Sequence, residues 1–184
     1  MLMMRKNKLL ILVILLLLLV TGCKNNEPEI INMSGTDEDF NEVAEYNINV
    51  KGSGRLQCVR DVNISELEDD FRYSVTYKKG VITMLHSQEK VTGSNQTLLD
   101  EYEEAYKSIK NQYKGLRYYD ITVTRDSNSV IYDTIINYEK LDMDKLREIE
   151  PEIEGQDDIY KNNKLMLKTW WEFSKEMGMT CKGV

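Results

Sequence analysis

From Phe71 to Tyr77 every second side chain is aromatic or aliphatic (Phe71, Tyr73, Val75, Tyr77), and those between (Arg72, Ser74, Thr76) are polar. A period of two is the pattern of a strand in a sheet with one dry face and one wet face. Such a strand needs neighbours on its edges and a layer over its dry face, and the flanking sequence offers both. Lys78-Lys79-Gly80 reads as a turn, and Val81 to Val91 as the antiparallel partner. From Thr97 the period changes to three and four (Leu98, Tyr102, Ala105, Tyr106, Ile109, Tyr113), which predicts an amphipathic helix. Thr97 and Asp100 are spaced as a capping box, acids crowd the first turns where the helix dipole favours them, and Gly115 lies just past the end.

A second hairpin follows. Leu116 to Arg125 and Val130 to Tyr138 flank the turn-forming Asp126-Ser127-Asn128-Ser129, with Tyr119, Ile121 and Val123 on one face. Met143, Leu146 and Ile149 predict a second helix that Pro151 ends; Met166, Trp170, Phe173 and Met177 predict a third, stopped by Gly178. Arg55 to Val59 and Met179 to Cys181 read as short strands, and the alternation in Tyr46 to Val50 as an edge strand. The expected fold is α+β, an antiparallel sheet of about 4–6 strands covered on one face by helices.

The first 22 residues belong to something else. Basic Arg5, Lys6 and Lys8 precede an apolar stretch from Leu9 to Val20, 12 residues against the ~20 that a membrane-spanning helix requires. Small residues then lead into Cys23. Val20-Thr21-Gly22-Cys23 resembles the lipobox of bacterial lipoproteins, which implies a diacylglyceryl group on the Cys23 sulfur and cleavage just before it. The alternative is an ordinary signal peptide with an incidental cysteine. The division expected is 1–22 lipoprotein signal peptide, 23–51 flexible acidic tether and 52–184 a single α+β domain, held at the extracytoplasmic face of the cell membrane.

The signal segment contains three of the 24 basic residues and none of the 31 acidic ones, so its removal takes the net charge from −7 to −10. Phosphate backbones repel such a chain, which argues against nucleic acid as a partner. Membrane attachment then has to come from lipid, and two acyl chains suffice without a basic patch.

With Cys23 lipidated, Cys58 and Cys181 remain. A pair in an exported domain reads as a disulfide, here between the first and last strands; the alternatives are two free thiols or a metal site lacking other ligands.

No residue set announces chemistry. His86, the single histidine, falls within a predicted strand, and a triad drawn with Ser87 or Ser94 lacks a nucleophile elbow. The acids from Asp142 to Asp158 do not follow EF-hand spacing and read as a solvated face, with Glu148 to Asp158 an exposed loop dispensable for folding. Asn63-Ile64-Ser65 and Asn95-Gln96-Thr97 match glycan acceptors, which a bacterial-looking signal argues against. Eleven tyrosines against three phenylalanines suggest either half-buried sheet and helix positions or a contact surface. The candidate contact residues are Trp171, Tyr118 and Tyr119. The expectation is therefore a non-enzymatic binding domain, with no catalytic residues, metal or cofactor, facing an envelope protein or glycan. The alternatives are a small-ligand-capturing lipoprotein or an envelope enzyme using acidic residues.

The lipobox, the Tyr73-to-Gly80 hairpin, the Thr-led helix ending near Tyr113-Lys114-Gly115, the Ile135-to-Lys140 strand end running into Asp142, and the last helix with Gly178 together resemble the YehR-like bacterial lipoproteins. This family is of unknown function. The resemblance covers about Phe71 to Gly178 and implies an α+β domain with an antiparallel sheet, without an activity or catalytic residues. The cysteine pair and the acidic loop do not map onto it.

Overall fold

The computed structural model describes residues 49–64, 66–150 and 159–184. The signal, Cys23, Ser65, most of the tether and acidic residues 151–158 lie outside these. The described chain runs β1 (Gly54–Ile64), β2 (Leu67–Lys78), β3 (Val81–Gly93), α1 (Gln96–Gln112), β4 (Tyr119–Arg125), β5 (Ser129–Asn137), α2 (Met143–Ile149), β6 (Tyr160–Lys161), β7 (Lys164–Leu165), α3 (Leu167–Glu176) and β8 (Thr180–Gly183). Six strands form one sheet in the order β4-β5-β3-β2-β1-β8, every pair antiparallel. This is the α+β architecture expected from the alternation.

The parity of β2 decides the rest. Leu67, Asp69, Phe71, Tyr73, Val75 and Tyr77 share one face, and all are buried. Across the ladder they meet Leu56 and Cys58 of β1, then Leu85 and Val91 of β3, and beyond these Val130, Tyr132 and Ile136 of β5. The β2–β3 loop has just two residues, Lys79 and Gly80, with φ of 51° and 74°. Positive φ at both central positions is the turn whose twist matches the strands, and glycine takes it without strain.

The helices cover this face. Leu99, Tyr102, Tyr106 and Ile109 form the buried stripe of α1, and Tyr106 lies 5.0 Å from Tyr132 of β5. Its cap is Asn95, whose side chain accepts from the Leu98 amide, two residues before the expected Thr97. Asp142 caps α2 by accepting from Lys145 N. In α3 the fully buried Trp170 meets Tyr73 edge-on at 5.8 Å.

Two expectations change at the ends of the chain. Of the edge strand expected at Tyr46 to Val50, residues 46–48 lie outside the described residues, and Asn49 and Val50 enter a turn, with the Gly52 amide donating to Asn49 O. A small hairpin, β6–β7, precedes α3, with φ of 53° at Asn162 and 57° at Asn163. Asparagine is the commonest residue after glycine to accept that conformation, so Asn-Asn between Tyr160-Lys161 and Lys164-Leu165 is a sequence signal for it.

The last strand lies beside the first. In the β1–β8 pairing Cys58 stands directly opposite Cys181, and their sulfurs are bonded at 1.99 Å. The bond closes a loop with a sequence separation of 123. Unreduced protein should therefore show no reactive thiol from this pair under denaturing conditions. Cys58→Ser should expose one and lower the denaturation midpoint, at a cost of about 2–5 kcal/mol.

Candidate functional site

The covered face is not uniformly apolar. Asp69 on β2 and Glu89 on β3 point into it, 4% and 6% exposed. They are diagonal neighbours, because Phe71 pairs with Glu89 and Asp69 with Val91. Tyr102 and Tyr106 of α1 lie above them and Tyr132 of β5 beside them. Asp69 Oδ1 is buried without a hydrogen-bond partner, and no salt bridge neutralises either acid among the described residues. The nearest cation is Arg60 of β1. It stacks 4.3 Å above the Phe71 ring and donates from Nη1 to Met177 O at the end of α3, 2.9 Å away. Arg60 thus closes a helix C-terminus and acts on the acids only through space.

Burial disfavours the ionised form of both carboxyls. Desolvation raises the Asp69 pKa to about 7, with Asp70 adding to the rise and Arg60 opposing it. Glu89 goes up to about 8, first through desolvation and then through repulsion by Asp69, against Tyr106 and Arg60. The Tyr106 hydroxyl faces Glu89 without reaching full hydrogen-bond geometry. These acids escape a search for acidic clusters because they are single residues in strands. Their parity with Phe71 and Val91 is the signal that places them inside.

The opposite face of the sheet carries no helix among the described residues. At its centre His86 Nε2 lies 3.0 Å from Asp133 Oδ2, and Gln88 Nε2 donates to the same oxygen at 3.1 Å. His86 is therefore a paired sheet residue. Ser74 stands directly across from His86, yet no side-chain hydrogen bond joins them, and Ser87 points to the covered face. The contact between nucleophile and base that a triad requires is missing here.

The candidate contact residues separate. Tyr119 is buried, 8% exposed, and stacks on Tyr113 at 4.6 Å, which corrects its expected place on a contact surface. Its parity with Ile121 and Val123 turns it inward. Tyr118, with φ of 82°, and Trp171 are half-buried, each beneath a cation, Arg117 and Lys175 respectively. Val184 is the one large hydrophobic side chain that is exposed among the described residues. An aromatic or apolar contact patch is thus not formed by them.

Glu150 also departs from expectation. Placed in an exposed loop by its sequence neighbours, it is 5% exposed and lies near Tyr113 and Tyr160, whose phenol pKa values it helps to raise. Within the acidic segment Glu148 to Asp158, Ile149 and Glu150 thus pack onto the domain, while 151–158 lie outside the described residues. Among the described residues no three His, Cys, Asp or Glu side chains converge as a metal shell.

No protein-family model matches the chain, and no curated protein matches it. Solved structures similar to it include the NMR structure of the Escherichia coli YehR protein, at 14% identity and a TM-score of 0.49, covering 71% of this chain and 92% of that one. Another is the NMR structure of a protein from Streptococcus pneumoniae TIGR4, at 15% identity and a TM-score of 0.44, covering 87% and 99%.

The acids dictate a pH response whose sign is fixed. Their unfolded values are 3.8 and 4.5 and their folded values about 7 and about 8, so between these limits the folded state holds more protons than the unfolded. Stability then falls as pH rises through that window. Denaturant melts should show a loss of at least about 1 kcal/mol between about pH 5.5 and pH 8.5. Glu89→Gln should flatten the profile and raise the alkaline midpoint.

Proposed function

We propose that this chain is a lipid-anchored lipoprotein on the extracytoplasmic face of the cell membrane, whose folded part is a non-enzymatic binding domain for a protein or glycan of the envelope. Its address rests on Val20-Thr21-Gly22-Cys23 at the end of an apolar stretch too short to span a bilayer. The cross-linked Cys58–Cys181 pair suits an oxidising compartment, where such bonds persist. A YehR-like lipoprotein identity, first suggested by the order of motifs, belongs to the same reading.

The observation that carries the binding role is the bare face of the sheet. Among the described residues helices cover one side only, and the other is a broad strand surface centred on Arg72, His86, Gln88 and Asp133. It is polar at its centre, which fits a hydrated envelope partner held by hydrogen bonds better than an apolar one.

The rival enzyme reading has one observation in its favour, the displaced titration of Asp69 and Glu89. Displaced carboxyls mark many active sites. Here both lie beneath α1, and a substrate would have to enter the core to meet them.

Two measurements test the proposal. Cys23→Ala should abolish metabolic palmitate labelling and release the protein from the membrane; persistent label would refute the anchor. A photo-cross-linking residue at Gln88 should give a discrete adduct with one envelope component in intact cells, while the same residue at Glu101 on the outer side of α1 should not. Equal adducts at both, or none at either with normal protein levels, would refute the face as a binding surface.

A further inference from the structure

The two edges of the sheet are built differently. At one edge β8 is four residues long and contains Lys182. Shortness and lysine are both devices that discourage pairing with another chain. At the other edge β4 runs Tyr119-Asp120-Ile121-Thr122-Val123-Thr124-Arg125 and, among the described residues, pairs only with β5. It contains no proline or lysine, and its ladder to β5 proceeds without a register shift from Tyr119 opposite Ile136 to Arg125 opposite Val130. Its four central residues are all β-branched, the side chains that best suit a pleated strand. Proline, lysine and a β-bulge are all absent along it, and its two charges, Asp120 and Arg125, lie toward its ends.

The side chains of β4 are unfinished in the same place. Asp120, Thr122 and Thr124 are exposed on the bare face, while Ile121 and Val123 on the covered face are only half-buried at its rim. The end charge is already committed: Arg125 donates to Gln96 Oε1 and Asp100 Oδ1 of α1 and sits 3.7 Å from Glu103. One further strand beside β4 would take up its outward N–H and C=O groups and complete the cover over Ile121 and Val123.

We propose that this strand is β4 of a second copy of the same chain, paired antiparallel about a two-fold axis through Thr122, so that the two six-stranded sheets join edge to edge. A two-fold axis at Thr122 is the register that pairs all seven residues. It sets Ile121 opposite Val123 and Asp120 opposite Thr124 of the other copy, in both directions, and Tyr119 opposite Arg125. No like charges face each other, and the apolar pair closes on itself, as an isologous contact requires. The contact is small compared with the ~1,200 Å² of a stable interface, so the association is weak and reversible. It extends the binding role to a homotypic partner and does not depend on whether Cys23 carries lipid.

The axis makes the test specific. In full-length protein in intact cells, Thr122→Cys places two thiols opposite each other within disulfide reach. Mild oxidation should convert it to a covalent dimer, at least about fivefold more than Asp120→Cys or Thr124→Cys alone. Co-expression of Asp120→Cys with Thr124→Cys should restore the dimer, because those positions face each other across the axis. All three positions are exposed, so the fold should tolerate them, and retention of the Cys58–Cys181 bond reports that it does. A Thr122→Cys protein that stays monomeric, cross-links equally at all three positions, or adducts to a different protein would overturn the proposal.

Discussion

The dry face of this sheet is filled largely with tyrosine. Tyr73, Tyr102, Tyr106, Tyr119 and Tyr132 all lie between strands and helices, where phenylalanine would serve the hydrophobic effect equally well. Each phenol adds a hydroxyl, and those of Tyr106, Tyr119 and Tyr132 are buried without a partner at full hydrogen-bond geometry. Burial pushes their pKa values well above the usual phenol range, so the rings stay neutral. The interior is thus apolar in its packing and polar in its detail. An acid can enter such an interior as a neutral carboxyl, and Asp69 and Glu89 do so.

This constraint connects the candidate site to the helix above it. The two carboxyls, Tyr102 and Tyr106 form one contact region between β2, β3 and α1. The seating of α1 is therefore tied to the protonation of the sheet beneath it. Arg60, the cation that acts on them among the described residues, spends its side-chain hydrogen bond on the end of α3. The charge balance of the core is left to protons in place of an ion pair, and a salt bridge at that depth would have carried its own desolvation penalty.

Much of this was legible in the chain. Strict alternation in Phe71 to Tyr77 predicts both the strand and its covered face, Gly80 and Gly178 mark a turn and a helix stop, and the cysteine count predicts the neighbourhood of the first and last strands. What escaped did so for physical reasons. Asp69 and Glu89 look like wet-face residues by type and are core residues by position; parity outweighs residue type once the neighbours on both sides are fixed. Tyr119 shows the same lesson. Glu150 was grouped with acids that follow it in sequence, whereas the packing of α2 against α1, where Gln112 donates to Ile149 O, holds the chain down at that point. Asn95 outcompetes Thr97 as a cap because its side-chain oxygen reaches the Leu98 amide.

The bond between Cys58 and Cys181 also changes what a protease can accomplish. Nearly every described element lies within the closed covalent ring that it completes. One cut anywhere in that ring yields two polypeptides that stay joined through the sulfurs, so the fragment bearing the C-terminus remains attached to the fragment bearing the N-terminus. Only a second cut, or reduction, sets a piece loose. A nicked molecule can keep its last strand beside its first, whereas a single cut before Cys58 parts the residues ahead of it from the ring.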